Sequence, residues 1–229
     1  MHEFDIFGLH VQLAQSIINM WLIMGALTVI ALWINIYIRR GGFKMIPESN
    51  IQLVIEGLVE FCYNISRSTM GEKNVGLAPY IGSIAVFLLF SNLVGLLGIR
   101  KVPTTDYSVT LGFALTTFIV VQTHQFKAHG FKGYFKELIE PFPLFLPLNI
   151  LEKFTPILSM SLRLFGNITA GVIILELVYS SLRSISVFAM AFVPVPLHLY
   201  FDIFDGILQT MVFVILTMEL TANATAVED

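Results

Sequence analysis

The chain is short of charge, short of cysteine and free of any basic run, and each shortage removes a class of protein. Charged residues make up 13% of the 229 residues, against about 25% in a soluble domain, so a surface that faces water on every side is excluded. The single cysteine, Cys62, rules out a disulfide framework, and no Cys/His grouping has the spacing of a zinc site. A formal net charge of -3 without a basic cluster argues against nucleic acid as a partner, and no glycine-rich phosphate loop is present. What the chain has instead is apolar bulk: 56% hydrophobic residues, 20 Phe and 9 Met, with a mean hydropathy of +0.80. Lipid is the solvent that suits such a surface. The N-terminal run MHEFDIFGLH carries acidic residues and no positive start, so it is not expected to act as a cleavable signal, and the first apolar stretch is expected to be retained.

A membrane-spanning helix needs about 20 apolar residues at 1.5 Å rise. Five stretches reach this length: Val11 to Tyr37, Pro79 to Gly98, Asp106 to Gln122, Pro147 to Tyr179, and Ser186 to Ala224. The stretch Ile51 to Ser68 differs, because Glu56, Glu60 and Arg67 interleave with apolar residues at helical spacing, the pattern of a helix lying in the interface. The expected fold is therefore an all-α membrane protein with five transmembrane helices plus an interfacial amphipathic helix. It forms one integral membrane domain over 1–229, with 1–10 as an outer tail. Lys and Arg prefer the cytoplasmic side. With the N-terminus outside, the inner loops hold Arg39, Arg40, Lys44, Arg67, Lys73, Lys127, Lys132, Lys136 and Lys153, and the outer loops only Arg100, Lys101 and Arg183. That balance predicts N-terminus out and C-terminus in. The run from Pro147 to Tyr179 makes about 50 Å of helix, while the hydrocarbon layer is about 30 Å thick. The last two helices, 147–225, should thus form a long, strongly tilted hairpin closed near Ser180 to Ser184, with Pro147, Pro156, Pro194 and Pro196 as points where they would break.

One basic residue, Arg163, falls inside a span. An arginine at bilayer depth costs about 3 kcal/mol on insertion scales and over 10 in simulations of isolated helices. An ion pair within the chain or snorkelling to the interface would relieve the cost, and so would a counter-charge on another chain. At 100° per residue, Asn167, Ala170 and Ile174 share the face of Arg163, with Gly166 and Gly171 flanking it, whereas Val172 and Glu176 lie on the opposite face. The small residues allow close approach of a neighbouring helix, which points to the other chain.

The last span carries His198, Asp202, Asp205 and Gln209 at i, i+4, i+7 and i+11, within about 60° of one another on a regular helix. Val212, Phe213 and Leu216 continue that face before Glu219, so the stripe runs partway and stops. With Glu176 and Asp106 it outlines a hydrated dead-end cavity. A metal site of His198, Asp202 and Asp205 lacks a second histidine nearby; a structural polar network and an ion or proton pathway both fit, and the pathway is the commoner meaning of ionisable residues in spans. His124 and His129 belong to a Lys-containing loop and read as solvated or headgroup contacts. Asn92 reads as an interhelical hydrogen bond rather than a gate. No internal repeat of the transporter type is visible, no Ser/His or paired-Asp motif for hydrolysis is recognisable, and no cofactor is called for.

Three segments resemble one family. SLRLFGNITAG, Ser161 to Gly171, is similar to the signature of subunit a of the F-type ATP synthase, the stationary channel subunit of a membrane rotary motor. PTTDYSVTL, Pro103 to Leu111, resembles its outer-loop motif, and LQTMVFVILT, Leu208 to Thr217, its last helix. The resemblance covers nearly the whole chain and implies partners: the ring of subunit c, the peripheral-stalk subunit b, membrane lipid, and a translocated proton or sodium ion. It implies that Arg163 meets the ring carboxylates in turn, that Asn167 and Gln209 stand beside it, and that Asp106 and Asp202 belong to an outer half-channel in a bacterial plasma membrane. The hairpin 147–225 would face the ring. The position nine after the arginine, often Glu or His in the family, is Val172 here, and Glu176 would carry its function from one turn further on. Asp205 and His198 join the same outer route, Glu219 is a candidate for the inner one, and the chain itself would hold no hydrolytic site. A secondary transporter pairing Arg163 with an anionic substrate is the competing class.

Overall fold

The computed structural model describes residues 2–6, 9–13, 15–43, 49–97, 102–139, 142–183 and 187–226. The fold is an all-α membrane bundle, preceded by a short antiparallel hairpin of β1 (His2–Ile6) and β2 (Leu9–Leu13) in the segment expected to be a plain tail. Helix α1 (Gln15–Tyr37) continues into one wide π-turn over Ile38–Gly42, where the Arg39–Arg40–Gly41–Gly42 stop was expected. Its large apolar side chains Trp21, Leu22, Val29, Leu32 and Trp33 are more than half exposed in the isolated chain. A helix apolar all round and left uncovered by protein is one solvated by lipid.

Helix α2 (Asn50–Met70) is the amphipathic one. Gln52, Ser66 and Met70 are buried, while Ile51, Leu53, Val54, Leu58 and Phe61 stand exposed beside Glu56 and Glu60. It ends at Gly71, whose φ of 75° is a left-handed conformation open to glycine. Arg67 and Glu72 pair across the end at 3.0 Å. Helices α3 (Ala78–Leu93), α4 (Tyr107–Ile139), α5 (Leu146–Arg183) and α8 (Gly206–Thr225) form the body. Between α5 and α8 come the short α6 (Val187–Phe192) and α7 (Pro194–His198) and a π-helical segment, Leu199–Asp205.

The core sits around α8. Ile84, Phe87 and Leu88 of α3, Ala114 of α4, Ile157, Met160 and Leu164 of α5 and Phe213 of α8 form one buried cluster. Met70, Leu77, Ile81, Val214 and Met218 form a second, between α2, α3 and α8. On α8 threonines let the helices close up without leaving hydroxyls unpaired: Thr210, Thr217 and Thr221 are buried and each donates to the carbonyl four residues back. Small and β-branched polar residues at helix contacts are what packing inside a membrane favours, since burial of apolar surface supplies no drive there.

Among the described residues four helices are long and apolar enough to cross a membrane: Gln15–Arg40, Glu72–Leu93, Pro143–Arg183 and Pro194–Thr225. The fifth expected span is α4. Thr110, Thr116, Thr117 and Gln122 dilute its apolarity, yet it packs against both α5 and α8. It also runs past the expected end at Gln122, changing direction only at Gly130 (φ 67°). Helix α5 passes through Pro156 without interruption, so neither Pro147 nor Pro156 breaks it. Its 38 residues measure about 57 Å. In the last helix Pro194 stands at the start of α7, where its missing N–H costs nothing. The hairpin was expected to close near Ser180 to Ser184, but α5 stays helical through Arg183; residues 184–186 and three of the orientation-setting residues, Lys44, Arg100 and Lys101, lie outside the described residues.

Candidate functional site

Arg163 stands halfway along α5 on an exposed face. Among the described residues no carboxylate lies within ion-pair distance of it; its contact is a long 3.5 Å approach to Ser159 Oγ, one turn back on its own helix. Gly166, on the same face, has open space where a side chain would point. The guanidinium is thus offered outward from a small-residue strip, with no internal counter-charge.

One turn further along α5, Asn167 Nδ2 donates to Gln209 Oε1 of α8 at 2.8 Å. Gln209 is 3% exposed, so this bond fixes α5 against α8 beside the arginine. Next to it on α8, Thr210 belongs to a second buried polar group. Asn92 of α3 donates to Gly206 O at 3.1 Å and Thr210 Oγ1 at 3.2 Å, and Thr104 Oγ1 donates to Asn92 Oδ1 at 3.0 Å. Asn92 is an interhelical tie, as its sequence context implied. Gly206 allows the approach, since a Cβ there would come within 3.2 Å of Asn92 Cβ.

The expected continuous stripe of His198, Asp202, Asp205 and Gln209 is not what forms. Across Leu199–Asp205 the helix widens to π geometry, so each residue there turns less than the 100° of an α-helix and later side chains fall behind the extrapolated angle. Three of the four separate into two groups. Gln209 belongs with Asn167. His198 Nδ1 meets Asp202 Oδ2 at 2.6 Å, and His198 Nε2 meets Tyr179 Oη of α5 at 3.0 Å. Asp202 also lines a cavity of about 10 Å³ together with Asn92, Val102, Asn167, Ile168, Gly171, Val172 and Phe201, room for about one water. This cavity joins the two groups. Gly171 makes it possible, because a Cβ there would lie 3.1 Å from Phe201 Cδ1.

The remaining expected site residues are dispersed. Asp106 caps α4: its Oδ1 accepts from Ser108 N at 3.0 Å and its Oδ2 from Ser16 Oγ of α1 at 2.7 Å, a typical N-cap arrangement. It sits four residues beyond Val102 of the small cavity. Asp205 is half-buried on the π segment, and Glu176 is exposed three residues before Tyr179. Val172, the position expected to lack the family acid, lines the cavity that holds Asp202. Among the described residues no group of three or more His, Cys, Asp or Glu side chains converges to hold a metal ion.

A second, larger cavity of about 400 Å³ opens between α4, α5 and α8. Glu152, Lys153 and Asn149 of α5, Gln122 and Gln125 of α4 and Asn223 of α8 give it polar walls. Lys153 Nζ donates to Gln125 Oε1 at 3.0 Å and lies 4.3 Å above the Tyr134 ring, whose hydroxyl donates to Gln122 at 2.9 Å. Glu219 is exposed and does not line this cavity; Leu220, Asn223 and Ala224 do. The sequence did not reveal this cluster because its members come from three helices and only Lys153 stood out.

The two cavities approach Arg163 from opposite ends of α5. The larger ends at Met160 and the smaller begins at Asn167, three residues before and four after the arginine, about one helical turn each way. Between them on α8 lie the buried Gln209, Phe213 and Thr217, and the two cavities share no lining residue among the described residues.

The family described as ATP synthase A chain matches residues 17–219. The chain is 33% identical over 218 residues to the protein named ATP synthase subunit a, sodium ion specific, of Propionigenium modestum, covering 89% of this chain and 71% of that one. It is 30% identical to ATP synthase subunit a 2 of Chlorobium luteolum, over 97% of this chain and 68% of that one. It is likewise 30% identical to ATP synthase subunit a of Moorella thermoacetica, over 91% and 89%.

Proposed function

The chain belongs to the ATP synthase A chain family as an ion-translocating subunit a of the F-type enzyme, and from that premise we propose that it carries ions to and from a rotating ring through two half-channels separated by Arg163. The observation that carries this reading is the pair of cavities that stop one turn short of Arg163 on either side. Neither crosses the bundle alone.

The N-terminus lies outside and the C-terminus inside, with five crossings that include α4, α2 in the inner interface, and the α5–α8 hairpin inclined so that about 57 Å of helix fits a layer about 30 Å thick. The smaller cavity then belongs to the outer half-channel, with Asp202, Asn167, His198, Asp205 and Asp106 along or near it and Glu176 at its mouth. The larger cavity, walled by Glu152, Lys153, Asn149 and Gln125, is the inner half-channel. Glu219, which is exposed and does not line this cavity, is left out of that route.

Guanidinium stays protonated at any relevant pH, so Arg163 acts by charge. In low dielectric a fixed positive charge favours the ionised form of a carboxylate brought near it. A ring carboxylate that reaches Arg163 gives up its ion; once past, it must reload before it turns into lipid. Asn167 and Gln209, locked to each other at 2.8 Å, hold α5 and α8 in register so that the arginine meets each carboxylate at one place. The two half-channels open on opposite sides of that point, and ions cross only by travelling with the ring. The membrane potential supplies about 2.3 kcal/mol per charge per 100 mV, and that drives rotation. The partners are the subunit c ring and, as anchor, the peripheral-stalk subunit b.

The test is purification and reconstitution. A tagged chain should bring down a ring of small hairpin proteins, and the assembly in vesicles should make ATP from an imposed ion gradient. A chain that purifies alone in intact membranes, or an assembly whose ATP synthesis ignores the gradient, would overturn the reading. A sodium-carrying version has one observation in its favour, the sodium-specific Propionigenium relative; synthesis that requires sodium would establish it.

A further inference from the structure

The outer cavity is fed by a feature that neither spacing nor family likeness supplies: three side chains from two helices joined end to end. Tyr179 is on the last full turn of α5, His198 ends α7 and Asp202 lies in the π segment. The links measure 3.0 Å from Tyr179 Oη to His198 Nε2 and 2.6 Å from His198 Nδ1 to Asp202 Oδ2. Tyr179 is exposed, the His198 side chain is 32% exposed, and the Asp202 side chain is 13% exposed. The chain therefore runs from the surface to the wall of the cavity that contains Asn167. We infer that Tyr179, His198 and Asp202 form a proton relay at the mouth of the outer half-channel, with Tyr179 as the positioning residue, and that the ion this chain admits is the proton. The inference rests on the half-channel reading above and names its ion.

The donor and acceptor inventory of the three groups fits a proton and nothing larger. An ionised Asp202 only accepts, so His198 Nδ1 carries the N–H that faces it. Neutral imidazole then accepts at Nε2, and the Tyr179 hydroxyl donates to it. When a proton from water binds Nε2, the new N–H donates instead, and the tyrosine oxygen accepts by turning its own hydrogen away. A hydroxyl at this place suits both charge states. The Nδ1–H bond then breaks and an O–H bond forms on Asp202, leaving neutral imidazole with its proton on Nε2: one proton in, one proton passed on. Asp202 releases it toward the cavity. Rotation of the partly exposed ring into water, where Nδ1 takes up one proton as Nε2 gives one up, restores the starting tautomer with no net gain or loss. A metal cation placed between Nδ1 and Oδ2 would need about 2 Å or more on each side, which a 2.6 Å separation does not provide.

Among the described residues, the other charged groups near His198 are few. On α5, Glu176 and Arg183 lie three residues before and four after Tyr179, both exposed; α6 carries no ionisable side chain; on its own helix Asp205 lies beyond Asp202. Among the described residues, only Tyr179 and Asp202 hydrogen-bond to the ring.

The experiment uses the complete assembled complex in vesicles, with ATP synthesis driven by an imposed proton gradient in sodium-free medium. His198→Ala should lower the rate about 100-fold or more, the low end of what a positioned proton-transfer group contributes, and millimolar imidazole should recover a large part of it. Tyr179→Phe should lower the rate a few-fold and displace its pH profile, because the imidazole loses the partner that suits both its charge states. An unaltered rate in His198→Ala, a loss that imidazole does not touch while His198→Gln restores it, or an unaltered pH profile in Tyr179→Phe overturns the relay. If His198→Ala does not assemble, the Tyr179→Phe profile decides alone. Arg163→Ala in the same vesicles separates the two levels: it abolishes synthesis if the half-channel reading holds, whatever the relay variants do.

Discussion

Replacing Asn92 by leucine tests whether the buried polar group around α8 is what holds α3, α8 and the Pro103–Thr105 turn together. The side chain makes three hydrogen bonds, to Gly206 O, Thr210 Oγ1 and Thr104 Oγ1, and is 4% exposed. Leucine keeps the volume and removes all three. Interhelical side-chain bonds inside membranes average about 0.6 kcal/mol, so the direct loss is about 2 kcal/mol. The stranded partners set its distribution. Gly206 O still accepts from Thr210 Oγ1, whereas the Thr104 hydroxyl, 0% exposed, loses the acceptor it had, a penalty of about 1–3 kcal/mol. The sum, about 3–5 kcal/mol, is about a hundred- to a few-thousand-fold in the unfolding constant. Reversible unfolding of the purified assembly in mixed micelles, read by a reporter on α3, measures it. Adding Thr104→Val to Asn92→Leu should recover about 1 kcal/mol or more by removing the stranded hydroxyl. A neutral Asn92→Leu, or strict additivity of the two substitutions, would refute this assignment of the energy.

Three further outcomes are expected. Gly171→Ala places a methyl 3.1–3.3 Å from Phe201, which costs about 1–3 kcal/mol of overpacking and narrows the Asp202 cavity, so both thermal stability of the assembly and synthesis rate should fall. Glu176→Gln should slow synthesis, and Val172→Glu added to it should restore the rate by placing an acid in the cavity wall; a double variant as slow as the single one counts against a shifted acid. Burial of Cys62 on α2 pushes its thiol above the ordinary range, so alkylation of the intact protein should be slower than that of the denatured chain and should rise with pH; equal rates at pH 7 would contradict that burial.

Much of the fold was legible because lipid imposes coarse requirements. Apolar length located the spans, the mixed face of Ile51 to Ser68 set α2 apart, and Arg163 stood out as a cation in an apolar run. Asn167 and Gln209 were placed beside it by likeness to a family, and the structure joins them directly. What the sequence withheld depends on geometry that no spacing rule carries. The π turns over Leu199–Asp205 have no local signature, so extrapolation at 100° per residue put His198 and Gln209 on one stripe when they belong to separate groups. Pro156 read as a break, yet a lipid-facing helix packed on α4 absorbs it. The lysine-side cavity was invisible because Gln122, Gln125, Asn149 and Asn223 are unremarkable until three helices bring them together. Tyr179 read as the end of a span, and only the turn of α7 makes it a partner of His198.

The most direct test is synthesis by an assembled Arg163→Ala variant. With the fixed charge gone, nothing forces a ring carboxylate to release its ion between the two cavities, which end one turn to either side. The account predicts a complex that assembles with its ring and makes no ATP from an ion gradient. Coupled synthesis at the normal rate by that assembled variant would contradict it.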